Sequence, residues 1–213
     1  MTVTRALFAL HAAAPESLSD LPLAGDWRVG HFAAATPRIG SSLDVCSTTI
    51  AAHTEQVFTD GPGLFARDGA LGAYEQLEPT LWGETDPRLR AHHSGEGESE
   101  LIFLWLMSRL GSAALHEPAE VPLAQLVERV RDAVETLADW AKRAGASEPA
   151  GLTMVLTDGE RLVAARRGTP LSWLERPSPK RAVLFSSEPI GAGGWRPALD
   201  GMILAAGADA RLV

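Results

Sequence analysis

The sequence predicts an α+β domain, and three observations lead there. Residues 152–168 spell a hairpin: Thr153, Val155 and Thr157 alternate with Met154 and Leu156, Asp158-Gly159 supplies a tight turn, and Leu162, Val163 and Ala164 resume beyond it. Two helical stretches, 98–110 and 122–145, stand side by side in the middle of the chain. Strand-like segments lie before and after this pair instead of alternating with it, which favours layered sheets and helices over βαβ units.

Taken in order, Arg5 to Leu10 reads as a first strand, and the Ser-, Asp- and Pro-rich run to Asp26 as a loop. Trp27 to Ala35 reads as a second strand, closed by Thr36-Pro37. Residues 37–47 look irregular. Gln56 to Asp60 and Leu64 to Arg67 suit a hairpin across Gly61-Pro62-Gly63, Ala70 to Leu77 a short helix or turn, and Asp86 to Gly97 an exposed loop.

The helix at 98–110 opens with acidic residues suited to the helix dipole, is apolar on nearly all sides and stops at Gly111, so it is expected to be buried. Its successor has Pro122 in its first turn and repeats Leu126, Val127, Val130, Val134, Leu137, Ala138 and Ala141 at three- and four-residue steps. Lys142 and Arg143 complement its carbonyl end, and Gly145 ends it. Val183 to Pro189 is a further strand, Gly194-Trp195-Arg196-Pro197 an excursion, and Met202-Ile203-Leu204 a last strand.

At 213 residues the chain fits one domain with one sizeable core, spanning 1–213. A net charge of −8, without a lysine- or arginine-rich patch, argues against nucleic acid as a partner. The one cysteine, Cys46, cannot form an internal disulfide, and the expected location is the cytoplasm. Arg5 ahead of a short apolar run resembles a secretory leader, but His11 interrupts the run, and a first β-strand is the better account. No stretch approaches the ~20 apolar residues that span a bilayer, so no membrane association is expected.

The hairpin at 152–168, the strand 183–189, the Gly194-Trp195-Arg196-Pro197 excursion and the last strand together resemble the C-terminal half of class II glutamine amidotransferases, a branch of the N-terminal-nucleophile hydrolases. The resemblance covers 101–204 and extends over 30–77. It implies a four-layer αββα sandwich, with two antiparallel sheets face to face and helices outside. It also implies a site built from a nucleophilic cysteine with its free α-amine as base, an Asn-Gly oxyanion hole, an arginine for the glutamine carboxylate and an aspartate for its amino group.

Matched onto those motifs, this chain departs at nearly every position. The Met-Cys-Arg start aligns with Thr4-Arg5-Ala6-Leu7, placing Thr4 at the nucleophile, while the other register places Thr2 there. A hydroxyl is harder to activate than a thiol, and a strand-edge threonine accounts for either residue without chemistry. The His-x-Arg-x-Ala-Thr strand appears as His31-Phe32-Ala33-Ala34-Ala35-Thr36, so the clamping arginine is Ala33, and Arg38 stands too far along to replace it. His-Asn-Gly has become Arg67-Asp68-Gly69. An ionised aspartate accepts hydrogen bonds but donates none, and one lost oxyanion donor costs about 2.7 to 4 kcal/mol of transition-state stabilisation. A salt-bridged Arg67-Asp68 turn is the simple account of that pair. Thr-Asp-Ser-Glu corresponds to Gly97-Glu98-Ser99-Glu100, keeping the acid as Glu98; an acidic first turn serving the helix dipole explains it as well. The long insertion that the family carries ahead of its arginine strand is reduced here to residues 12–27.

Other candidates offer less. His92, His93 and His116 lack the spacing of a metal site, and no cofactor is implied. Cys46, with Asp44 and His53 nearby in sequence, fits a packed small residue, and Trp105, Trp140, Trp173 and Trp195 fit core or interface positions. The expectation is therefore a catalytically inactive amidotransferase-like protein that binds another protein subunit in a structural or regulatory role. The alternative is an amidohydrolase or glutamine amidotransferase with a remodelled site and Thr2 or Thr4 as nucleophile.

Overall fold

The computed structural model describes residues 5–11, 27–33, 58–60, 63–95, 97–111, 114, 120–158, 160–176, 182–187, 189, 193–207, 209 and 211–213. Among the described residues, ten strands form two five-stranded sheets. The first runs β2 (Trp27–Ala33), β1 (Arg5–His11), β8 (Ala182–Ser186), β7 (Ser172–Arg176), β9 (Arg196–Pro197). The second runs β10 (Ile203–Ala206), β6 (Leu162–Ala165), β5 (Thr153–Thr157), β4 (Gly63–Asp68), β3 (Phe58–Asp60). Pairing is antiparallel throughout except between β1 and β2, which run parallel in the register Arg5 to Trp27 and His11 to Ala33.

Period-two alternation sorts the second sheet's side chains between two cores. Ala66, Val155, Leu162, Ala164, Leu204 and Ala206 meet Val183 and Phe185 of the first sheet. Phe65, Met154, Leu156, Val163, Ala165 and Ala205 instead meet the helices. Because both faces are covered, β5 and β6 are buried along their whole length, and their sequences run nearly continuously apolar.

The described helices are α1 (Tyr74–Glu84), α2 (Pro87–Arg90), α3 (Glu98–Leu110) and α4 (Leu123–Arg143). As its apolar surround requires, α3 is buried from Glu100 to Met107, with the Trp105 ring edge-on to Trp140 of α4 at 5.6 Å. The buried stripe of α4 holds Leu126, Val130, Val134, Leu137 and Ala141, while Val127 and Ala138 sit half-buried at its margin. Pro122 is the residue just before the helix. At the other end Gly145 takes φ +88, its amide bonding Lys142 O while Ala146 N bonds Ala141 O, a Schellman closure.

Four local expectations change. The short helix or turn expected at 70–77 is a helix, but one that starts at Tyr74 and runs eleven residues, continuing through Pro79. The 86–97 loop contains α2, whose first turn is capped by Asp86 accepting from the Arg88 amide at 2.7 Å. Strand β7 was not anticipated; Ser172–Arg176 holds only two adjacent apolar residues and becomes a strand because β8 and β9 pair with it on both sides. The β5–β6 connection takes four residues, since Thr157 pairs with Leu162.

That connection is tied down by charge. The buried Asp158 carboxylate accepts from the Glu160 and Arg161 amides and from Arg161 Nε at 2.6 Å. Arg161 then reaches between the helices, with Nη2 donating to Ala114 O at 2.6 Å and Nη1 to Val121 O.

Candidate functional site

The candidate site forms where β4 ends and α3 begins. Alternation along β4 sends Arg67 to the helix side with Phe65, and Asp68 to the inter-sheet side with Ala66. Adjacent in sequence, the two charges therefore point apart. The anticipated Arg67-Asp68 ion pair is replaced by one between Arg67 and Glu98, with Nη2 2.5 Å from Oε1.

Every arm of the Arg67 guanidinium is engaged. Nε donates to Ser99 Oγ at 3.2 Å, Nη1 to Gly151 O at 2.9 Å, and Nη2 to both Glu98 Oε1 and Ser99 Oγ. Its side chain is 3% exposed against 22% for Glu98. Glu98 Oε1 also accepts the Leu71 amide at 2.6 Å, so one carboxylate oxygen fastens the turn after β4 to the first turn of α3. Tyr74 lies beside this cluster at the start of α1, following Ala73 in the left-handed region at φ 60. Burial, and then the charges of Glu78 and Glu98 outweighing that of Arg67, push the Tyr74 phenol up to about 12.

On the other face, burial raises the Asp68 carboxyl above its ordinary 3.8, opposed first by a hydrogen bond from the Gly69 amide and then by the Arg67 charge. The Asp68 carbonyl accepts from Thr169 Oγ1 at 3.0 Å, and the Thr169 carbonyl accepts from Thr153 Oγ1 at 2.8 Å. Three glycines permit this close approach. A Cβ on Gly69 (φ +106) would lie 2.6 Å from Gly151 Cα, one on Gly151 2.6 Å from the Ala70 nitrogen, and one on Gly168 2.6 Å from the Ala150 oxygen.

The structure thus brings Arg67, Asp68, Gly69 and Glu98 to one corner of the second sheet. Arg5 and Ala33 lie at opposite ends of the β1–β2 ladder, six residues apart in register, roughly 20 Å at the ordinary strand rise. Thr2, Thr4, Arg38, Asp44, Cys46, His53 and His116 fall outside the described residues. Gly151 and the Leu71 amide belong to the cluster although no motif singled them out, and Ser99, which stands in the 97–100 motif, had no role assigned to it. Ser99 was recoverable as Glu98's neighbour in a helix first turn; Gly151 required the register of β4 against β5.

Among the described residues no three histidine, cysteine or acidic side chains gather as metal ligands. His93 instead meets the buried Glu100 carboxylate at 3.4 Å and the edge of Trp82 at 5.1 Å. No described helix is long and apolar enough to cross a membrane.

Two such sheets, with the described helices over one of them, form a class II glutamine amidotransferase-like fold. Among solved structures, a glutamine aminotransferase class-II domain protein from Silicibacter pomeroyi is similar, with 20% identity and a TM-score of 0.60 over 74% of this chain and 69% of that one. A predicted glutamine amidotransferase from Pseudomonas aeruginosa is similar at 16% identity and a TM-score of 0.50, over 75% of this chain and 64% of that one. At these identities the likeness is one of fold. No protein-family model and no curated protein matches the sequence.

Proposed function

We propose that this chain is an amidotransferase-like protein without glutaminase activity, acting in the cytoplasm as a binding, structural or regulatory subunit of another protein, such as an active relative or an enzyme of the same pathway. The observation that carries this reading is that one oxygen of Glu98, Oε1, is already taken from within, by Arg67 and the Leu71 amide. The resemblance asks an acid at this point to receive the amino group of glutamine. An incoming ammonium would meet a carboxylate whose Oε1 is already committed and would have to share its charge with the buried Arg67 guanidinium, which repels a second cation. Beside Gly69, where the resemblance asks for an asparagine donor, stands Asp68, whose ionised form donates no hydrogen bond. Alanine at 33 and threonine at 4 agree with the same reading.

A glutaminase assay on protein whose N-terminus is verified by intact mass tests it. The expected result is no turnover above blank. Turnover that Thr2→Ala or Thr4→Ala abolishes would overturn the proposal.

A second reading, an amidohydrolase with Thr2 or Thr4 as nucleophile, is favoured by the raised Asp68 carboxyl, which suits an acid or base near neutral pH better than an ordinary aspartate. Release of product from simple amides, lost in Asp68→Asn with the fold intact, distinguishes it. Retention of Met1 in the intact mass counts against Thr2.

A further inference from the structure

The core between the two sheets has a half-buried margin made by Trp173, Met202 and Leu212. The methionines of this chain differ sharply in access. Met107 and Met154 are each 2% exposed, whereas Met202, at the start of the last strand, is packed on the core and still reaches solvent. At such a position an oxidant can arrive and its product matters, because sulfoxide formation turns a flexible apolar side chain into a polar one.

Met202 also ends a turn that is bonded on both sides. Its amide donates to Leu199 O at 3.0 Å and its carbonyl accepts the Arg166 amide at 2.9 Å, while the Gly201 amide donates to Arg166 O at 2.9 Å. Arg166 Nη1 donates to Ala198 O, and Asp200 Oδ1 accepts the Gly168 amide at 2.7 Å. The 198–202 turn is thus laced to residues 166–169, which end in the Thr169 hydroxyl donated to the Asp68 carbonyl. Burying a sulfoxide at 202 without a hydrogen-bond partner is costly, and turning it toward water withdraws the side chain from the core margin. Either way the packing beneath the turn is lost.

We propose that Met202 is an oxidation site for peroxides, and that its sulfoxide loosens the 198–202 turn and, through it, the 166–169 segment beside Asp68. A lone pair of the thioether sulfur attacks one oxygen of hydrogen peroxide, and the O–O bond breaks as the S–O bond forms. The proton on the transferred oxygen passes to the departing hydroxide, which leaves as water. Sulfur is oxidised by two electrons and the peroxide is reduced by two. Methionine sulfoxide reductases with a thiol reverse the change, so the firmness of this turn follows the redox conditions. Nothing in this role depends on whether the Arg67–Glu98 cluster catalyses a reaction.

The test treats the full chain with dilute hydrogen peroxide and follows each methionine by peptide mass mapping. Met202 should gain one oxygen about tenfold or more faster than Met107 and Met154, which react only when the fold opens. The melting temperature should fall by about 2–4 °C, and the Gly168 amide should exchange with deuterium faster. Both changes should be undone by the two epimer-specific reductases with a thiol. Met202→Leu, close to methionine in volume, should hold its melting temperature in peroxide, which separates Met202 from Met1 and Cys46 as the cause. Three results overturn the proposal: oxidation of Met107 or Met154 at the rate of Met202, a sulfoxide at 202 that leaves melting and Gly168 exchange unaltered, and a melting loss that persists in Met202→Leu.

Discussion

The Arg67 guanidinium stands 2.5 Å from Glu98 Oε1 and joins the end of β4 to the first turn of α3 across 31 residues of chain. Removing one member of such a pair strands the other. Glu98→Leu is expected to cost roughly 3 kcal/mol, because Arg67 stays buried with its charge uncompensated. Arg67→Met combined with Glu98→Leu should recover much of that loss, since neither charge is then left behind. Urea denaturation of the single and double variants measures both quantities, and an additive double variant would show the pair to be uncoupled.

Asp68 supplies a pH signature. Its folded-state pKa is raised, mainly by burial, so its contribution to stability is present below the ordinary 3.8 and is lost as pH rises through the folded value. Asp68→Asn should therefore raise the melting temperature at neutral pH, with the gain shrinking as pH falls toward 3.8. A gain that grew on acidification would mean that the carboxylate, not the neutral acid, is the favoured form.

Tyr74 is the one tyrosine in the chain, so ultraviolet absorbance reports its titration directly. The midpoint should lie at about 12 in the folded protein and near the ordinary 10.0 in denaturant. Because its folded value is raised, Tyr74 stabilises the fold fully below 10.0 and ceases to do so as pH rises through about 12. Glu98→Gln removes a neighbouring negative charge and should lower the folded midpoint.

The glycine contact makes a steric prediction. Gly151→Ala sets a Cβ 2.6 Å from the Ala70 nitrogen, and backbone has to move to relieve it. A loss of about 1–3 kcal/mol or more is expected from chemical denaturation, against a small change for Gly83→Ala, where a Cβ meets nothing within 4 Å.

The sequence was most legible where one physical rule acted alone. Apolar periodicity located α3 and α4 to within a residue or two, and turn glycines located the β3–β4 and β5–β6 hairpins. Strand β7 escaped because its pairing partners, not its own side chains, make it a strand. The partner of Arg67 was misassigned for a related reason: nearness in sequence suggested Asp68, whereas strand alternation turns successive side chains to opposite faces and leaves the partner to come from α3. The positions of Asp68, Gly69 and Glu98 were readable from motif spacing. Their engagement by Arg67, Ser99 and Gly151 depends on inter-strand register, which local pattern does not encode.

Arg161 has a kinetic consequence. Its bonds to Ala114 and Val121 can form only once the β5–β6 hairpin and the α3–α4 pair have both arrived, so they belong to a late stage of folding. Truncating this side chain should leave the refolding rate almost unaltered and act on the unfolding rate. The lifetime of the native state, more than the speed of reaching it, then rests on one arginine at a hairpin tip.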